Sequence, residues 1–137
     1  MIAEALVTDT HPLLYYFAGA QRKLSRKAKM AFDAAAAEQT TTIYVPSVVL
    51  WEVSMLIHKG DIAVKTGFDT WVESLFDHPM IVPFAFDEQT VQLCHNLSFH
   101  PDPFDKAIVA SALQLGLPLI SNDAVLHKHK PCALYWD

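Results

Sequence analysis

Four acidic residues stand where acids are unusual: Asp9, Glu52, Asp105 and Asp123. Asp9 directly follows, and Asp123 sits just past, a short apolar run that reads as a strand. Glu52 and Asp105 interrupt helical stripes of apolar residues. Glu52 lies four residues from both Val48 and Leu56, and Asp105 lies three and four residues before Ile108 and Val109. Each acid alone has an ordinary explanation, as a turn residue, a helix cap or an ion-pair partner. Together they are harder to dismiss, because no Lys or Arg occupies a matching apolar position and an unpaired buried carboxylate is costly. A hard divalent cation resolves the conflict. Mg²⁺ and Mn²⁺ prefer oxygen ligands, and clustered carboxylates holding one or two such ions can activate water and offset charge on a phosphate.

Other chemistries find less support. There is no P-loop, GxGxxG, HExxH or CxxC pattern. The seven histidines are scattered, apart from His127 and His129 around Lys128, and they read as solvated or capping residues rather than catalytic ones. Cys94 and Cys132 lack metal-ligand spacing and read as free thiols. Five of the ten Lys and Arg fall between Arg22 and Lys29. That run reads first as a solvated helix face, and in a phosphodiester enzyme as a patch to hold a nucleic-acid backbone.

The elements that must position the acids follow from the pattern of apolar residues. The stretch from His100 to Asp123, HPDPFDKAIVASALQLGLPLISND, is the clearest. Asp102 is a good N-cap, Pro103 suits the first helical position, and Gly116 suits the end of the helix. Phe104, Ile108, Val109, Ala112 and Leu115 recur at helical spacing, and 117–120 reads as a buried strand. Before it, 5–8 reads as a first strand, with Thr10 as cap of a helix over 13–18. A Ser-capped helix over 25–38 precedes a strand over 42–45. Ser47 caps a third helix to about Lys59, and 66–76 is a fourth. A strand follows over 80–84, and Asp87 caps a fifth helix to about Asn96. The chain closes with a short basic turn or helix over 124–130 and a strand over 132–136. Alternation of strands and helices predicts an α/β fold, a three-layer α/β/α domain around a central five-stranded parallel sheet. In such sheets ligands bind outside the carboxyl ends of the strands, which is where Asp9 and Asp123 fall.

The chain of 137 residues predicts one domain over 1–137, and 52% hydrophobic residues with only four Gly argue for a compact, helix-rich core. No apolar run reaches membrane-spanning length and no basic segment leads into an apolar one at the N-terminus, so a cytoplasmic protein with no membrane partner is expected. The net charge of −5 argues against a general nucleic-acid binder.

The stretches VTDTHPLLYYFAG, VPSVVLWEVSMLIHKG and HPDPFDKAIVASALQLGLPLISND, in that order, make the chain resemble the PIN-domain ribonucleases, and within them the VapC-type toxins of bacterial toxin–antitoxin modules. The resemblance covers nearly the whole chain and includes the Trp51–Glu52 pair and the DPFD segment. It maps the family's metal-binding acids onto Asp9, Glu52, Asp105 and Asp123, with smaller roles for Thr10 and Ser121. Lys106 departs from the Arg of many relatives, keeping the charge but not the planar fork. The resemblance implies Mg²⁺- or Mn²⁺-dependent cleavage of single-stranded or looped RNA, a homodimer, and a cognate antitoxin protein whose C-terminal segment blocks the site. Two other readings remain. One is a PIN-like module that binds RNA or protein without cutting, which the presence of all four acids disfavours. The other is a receiver-type phosphoacceptor, which needs an acidic pair after the first strand where this chain has Asp9, Thr10 and His11.

Overall fold

Strand β1 (Ala5–Thr8) runs through the middle of the molecule, and its neighbours are set by where apolar segments recur. In the computed structural model, which describes residues 3–98 and 102–137, β1 pairs in parallel with β2 (Thr42–Pro46) on one side and β4 (Leu119–Ile120) on the other. Strand β3 (Ile81–Phe84) pairs in parallel with β2, so the order across the sheet is β3-β2-β1-β4. Pro83 is tolerated because β3 is the edge strand and needs fewer ladder N–H groups. Leu6, Val7, Ile43, Val45, Leu119 and Ile120 are fully buried, as expected for a parallel sheet covered by helices.

The helices between the strands are α1 (Thr10–Phe17), α2 (Arg26–Ala36), α3 (Ser47–His58), α4 (Phe68–Phe76), α5 (Glu88–Asn96), α6 (Pro103–Leu115) and α7 (Ala124–His129), with a 3-10 turn over Gln21–Lys23. They flank the sheet in the expected α/β arrangement. The sheet itself differs from expectation. It has four strands among the described residues, not five. The segment 132–136 meets β4 at one parallel bridge, Leu119 to Leu134. The Leu119 N–H donates to the Ala133 carbonyl and the Leu119 carbonyl accepts from the Tyr135 N–H, but β4 is only two residues long. The next carbonyl, that of Ile120, accepts instead from the Asp9 N–H on the other side. One residue's worth of pairing makes a bridge, not a strand.

Local chemistry explains the helix that carries Asp105. Asp102 Oδ1 accepts from the N–H groups of Phe104 (2.8 Å) and Asp105 (3.2 Å), Pro103 opens α6, and Gly116 closes it in the left-handed region at φ 67°. Ile108, Val109 and Ala112 are buried, while Phe104 and Leu115 are half-buried against the core. His100 and Pro101 lie outside the described residues.

The basic run does not form a single patch. Lys29 is paired with Asp33 at 2.8 Å, and Asp33 also accepts from Tyr16 Oη at 2.7 Å. That pairing holds the Asp33 carboxyl below its usual range. Lys27 stands 4.2 Å over the Tyr135 ring and Lys23 5.4 Å over Tyr15. Cys94 and Cys132 are free thiols. No described helix is long and apolar enough to cross a membrane.

Candidate active site

From β1 the chain moves through β2 to β3 in one direction, then returns to place β4 on the other side of β1. The reversal opens a crevice at the carboxyl ends of β1 and β4, the usual place for a ligand in an open α/β sheet. Asp9 leaves β1 and Ser121 leaves β4, and both point into it.

Asp9 is the best-fixed of the four acids. It is 7% exposed, and it caps α1 in place of the expected Thr10. Its Oδ1 accepts from the Thr10 N–H at 2.8 Å and its Oδ2 from Ser121 Oγ at 2.6 Å. Burial raises the Asp9 carboxyl above its usual range, against the pull of these two hydrogen bonds, and the charge of Asp123 adds to the rise. Thr10, freed from capping, donates its hydroxyl to Glu52 Oε1 from α3. Glu52 is half-buried and is also raised, chiefly by burial and then by the charges of Asp9 and Asp102, while Thr10 and His11 oppose the rise.

Asp123 caps α7, accepting at Oδ1 from the Leu126 N–H at 3.0 Å, and its own N–H donates to Ser121 Oγ at 3.1 Å. Ser121 therefore ties Asp9 to Asp123. Its carbonyl oxygen lies 2.7 Å from His127 Nε2, which steadies the turn from below. Asp105, on the first turn of α6, completes the set. Burial pushes its carboxyl up to about 7, with further contributions from Asp9, Asp102, Asp123 and Glu52 in that order. Its carboxyl therefore lies within electrostatic reach of the other three acids and of Asp102.

The four expected acids are thus within electrostatic reach of one another, Asp9 and Asp123 line the cavity, and four more polar residues stand beside them. Thr10 and Ser121 are hydroxyl anchors. Asp102, expected as a cap, also adds negative charge felt by both Glu52 and Asp105. His11, exposed in keeping with the expectation of a solvated or capping residue, is near enough to Asp9 and Glu52 to oppose their rise. A signal for His11 was present in the sequence: two residues after Asp9 on a helix that begins at Thr10, it has to stay at the mouth of the crevice. His11, Pro12, Tyr15, Asn122, Asp9 and Asp123 line a cavity of about 250 Å³. On the other flank Trp51, 63% exposed, packs edge-on against Phe104 with centroids 5.4 Å apart; each ring precedes an acid of the cluster.

Among the described residues no three His, Cys, Asp or Glu side chains form a ready-made metal cage. The donor set nevertheless suits a hard divalent cation. The ligands on offer are carboxylate oxygens, and like charges keep them from closing on one another. Mg²⁺ needs only one or two carboxylates because it retains several waters.

Comparison with known proteins bears on this geometry. The family model of the PIN domain matches residues 6–130. Ribonuclease VapC22 of Mycobacterium tuberculosis (strain ATCC 25618 / H37Rv) is 23% identical over 125 residues, which cover 91% of this chain and 92% of that protein. Among solved structures, Rickettsia felis VapBC2 bound to a promoter DNA fragment matches with a TM-score of 0.65 and 15% identity, covering 97% of this chain and 99% of that one. A toxin–antitoxin complex from Klebsiella pneumoniae matches at 0.61 and 16% identity, covering 94% and 99%. Such identities show a shared fold.

Proposed function

The chain belongs to the PIN-domain family, and from that premise we propose that it is a Mg²⁺- or Mn²⁺-dependent endoribonuclease, the toxin of a toxin–antitoxin pair. The observation that carries the proposal is that Ser121 ties Asp9 to Asp123 at the cavity, Thr10 links the same strand end to Glu52, and Asp105 lies within electrostatic reach of all three. The name of the Mycobacterium relative supports the ribonuclease reading, and the toxin–antitoxin complexes among the similar structures support an antitoxin partner. The homodimer rests on the resemblance to VapC-type toxins.

In this reading Asp9, Glu52, Asp105 and Asp123 hold the cation. A bound divalent ion supplies the positive charge that activates water and offsets the charge building on the phosphate. The protein's own contribution is order. Ser121 holds Asp9 and the Asp123 backbone in register, Thr10 holds Glu52, and the caps of α1, α6 and α7 fix where each acid leaves its helix. His11 at the rim offsets part of the negative field that would otherwise repel an RNA backbone.

The test is cleavage of total cellular RNA by the purified protein, with mapped ends. Cleavage should stop in EDTA and return with Mg²⁺ or Mn²⁺. Full cleavage in EDTA would sink the metal-dependent reading, and intact RNA in every condition would favour the binding module.

Ser121→Ala separates positioning from ligation. The substitution removes the donor to Asp9 Oδ2 and the acceptor for the Asp123 N–H, while leaving all four carboxylates. Loss of such an outer partner typically costs about 10–100-fold in metal affinity or activity. Mn²⁺ affinity and RNA cleavage should both fall about tenfold, with the fold intact by circular dichroism. Unchanged Mn²⁺ affinity would show that Ser121 does not order the acids.

A further inference from the structure

Beside the acidic cavity lies a larger one, of about 460 Å³, and the two share His11 and Tyr15 as a common wall. The larger cavity is lined otherwise by Leu14, Lys23, Leu56, Asp61 and Ile62, with alanines between them. Its size falls within the usual range for small-molecule sites, and its walls mix apolar surface with a few polar groups. The Tyr15 ring packs partly against the core and stays partly exposed, one helical turn after His11, ring centroids 6.1 Å apart and tilted by 53°. Over the ring stands the Lys23 ammonium, 5.4 Å from the centroid. Lys23 is carried by the 3-10 turn, separate from the Lys29 and Lys27 side chains committed to Asp33 and Tyr135.

We propose that Tyr15, His11 and Lys23 form a subsite for one nucleotide of single-stranded RNA next to the bond to be cut, the base against the Tyr15 ring and a phosphate at Lys23. The proposal rests on the ribonuclease reading and names how that site grips its substrate. The pairing of an aromatic face with a nearby cation is what single-stranded nucleic acid asks of a protein: a surface every base can stack on, and a positive charge for the backbone. The shared wall matters most. A base on Tyr15 would lie against a residue that also lines the Asp9–Asp123 cavity, so the same strand can touch both. Asp61 in the same wall offers an acceptor to the exocyclic amino group of a base. An antitoxin peptide is the rival occupant. An aromatic ring beside an ammonium favours the nucleotide, because it offers a stacking face and a phosphate partner together.

The experiment measures binding apart from cleavage. A fluorescein-labelled, mixed-sequence single-stranded RNA of ten nucleotides is titrated with the full chain in EDTA, read by anisotropy at several salt concentrations. Tyr15→Phe keeps the ring and should bind like the wild type. Tyr15→Leu keeps apolar bulk and should bind about tenfold more weakly, as expected for loss of one stacked base. Lys23→Gln should lower the dependence of log affinity on log salt by about one phosphate contact. Lys23 is exposed, so this variant reports even if Tyr15→Leu fails to fold. Tyr15→Leu and Lys23→Gln both binding like the wild type overturns the subsite, and so does a wild type that binds no RNA. Cleavage assays on the same samples keep the two ideas apart. A wild type that binds RNA through Tyr15 but never cuts it defeats the ribonuclease reading alone. A wild type that cuts RNA with affinity indifferent to Tyr15 and Lys23 defeats the subsite alone.

Discussion

Asp105→Asn should bring RNA cleavage to background, while Asp102→Asn should leave most of it. The two acids are three residues apart on one helix start, yet their oxygens do different work. Asp102 Oδ1 accepts from the N–H groups of Phe104 and Asp105, which is the work of an N-cap. Asn offers the same carbonyl oxygen and is itself a good cap, so the change should cost little stability, against about 1 kcal/mol for Ala. It also removes one of the charges that push up Glu52 and Asp105. Asp105 lies one turn in, at the centre of the field of Asp9, Asp123 and Glu52. Asn there keeps the shape and removes the charge a hard cation requires. The loss should reach about a hundredfold or more, the upper end of what even an outer-shell partner brings. Mn²⁺ affinity and RNA cleavage measured on both Asn variants decide it. An inactive Asp102→Asn beside an active Asp105→Asn would mean that the cap, and not the inner carboxylate, holds the ion.

Much of this site was legible because acids in apolar patterns are conspicuous. Glu52 and Asp105 could be found from helical spacing alone, and Asp9 and Asp123 from the strands they follow. What could not be read was how the acids are held. Either Asp9 or Thr10 is a plausible cap, and local sequence does not rank them. The structure gives the cap to Asp9 because Thr10 is needed across the crevice by Glu52, a contact 42 residues away. The Ser121 bond to Asp9 spans 112 residues and depends on β4 lying beside β1. The fifth strand failed on length. Residues 132–136 have the apolar character of a strand, but a partner of two residues cannot sustain a ladder. Helix α4 starts at Phe68 rather than at residue 66, because Gly67 before it sits at φ 85°, outside the helical region.

Without divalent metal the protein should melt several degrees higher at pH 5.5 than at pH 8, and saturating Mn²⁺ should reverse that order. The sign follows from the raised carboxyls. Asp9, Glu52 and Asp105 bind protons more readily in the folded chain than in the unfolded one, Asp105 up to about 7 against an ordinary 3.8. The native state therefore carries the excess protons as pH falls through 7. Stability rises with falling pH in that window, and the penalty of ionised, crowded acids is felt in full above it. Asp33, Asp87 and Asp137 are lowered and act the other way, but they lose their ionised form only below about pH 4, outside the range compared. Because Asp105 is half-exposed, solvent screens part of the effect, and about 1–2 kcal/mol is a reasonable size. For a domain of this length that corresponds to roughly 4–8 °C. A bound cation needs the acids ionised, so it adds most stability at the higher pH. Glu52→Gln removes one of the repelling charges. It should raise the melting temperature of the metal-free protein at pH 8, flatten its pH dependence, and reduce the gain from Mn²⁺. Thermal melts of both proteins at the two pH values, in EDTA and in Mn²⁺, give all four comparisons. If the EDTA-treated wild type is more stable at pH 8, or Glu52→Gln melts well below it there, the acids do not share one repulsive pocket.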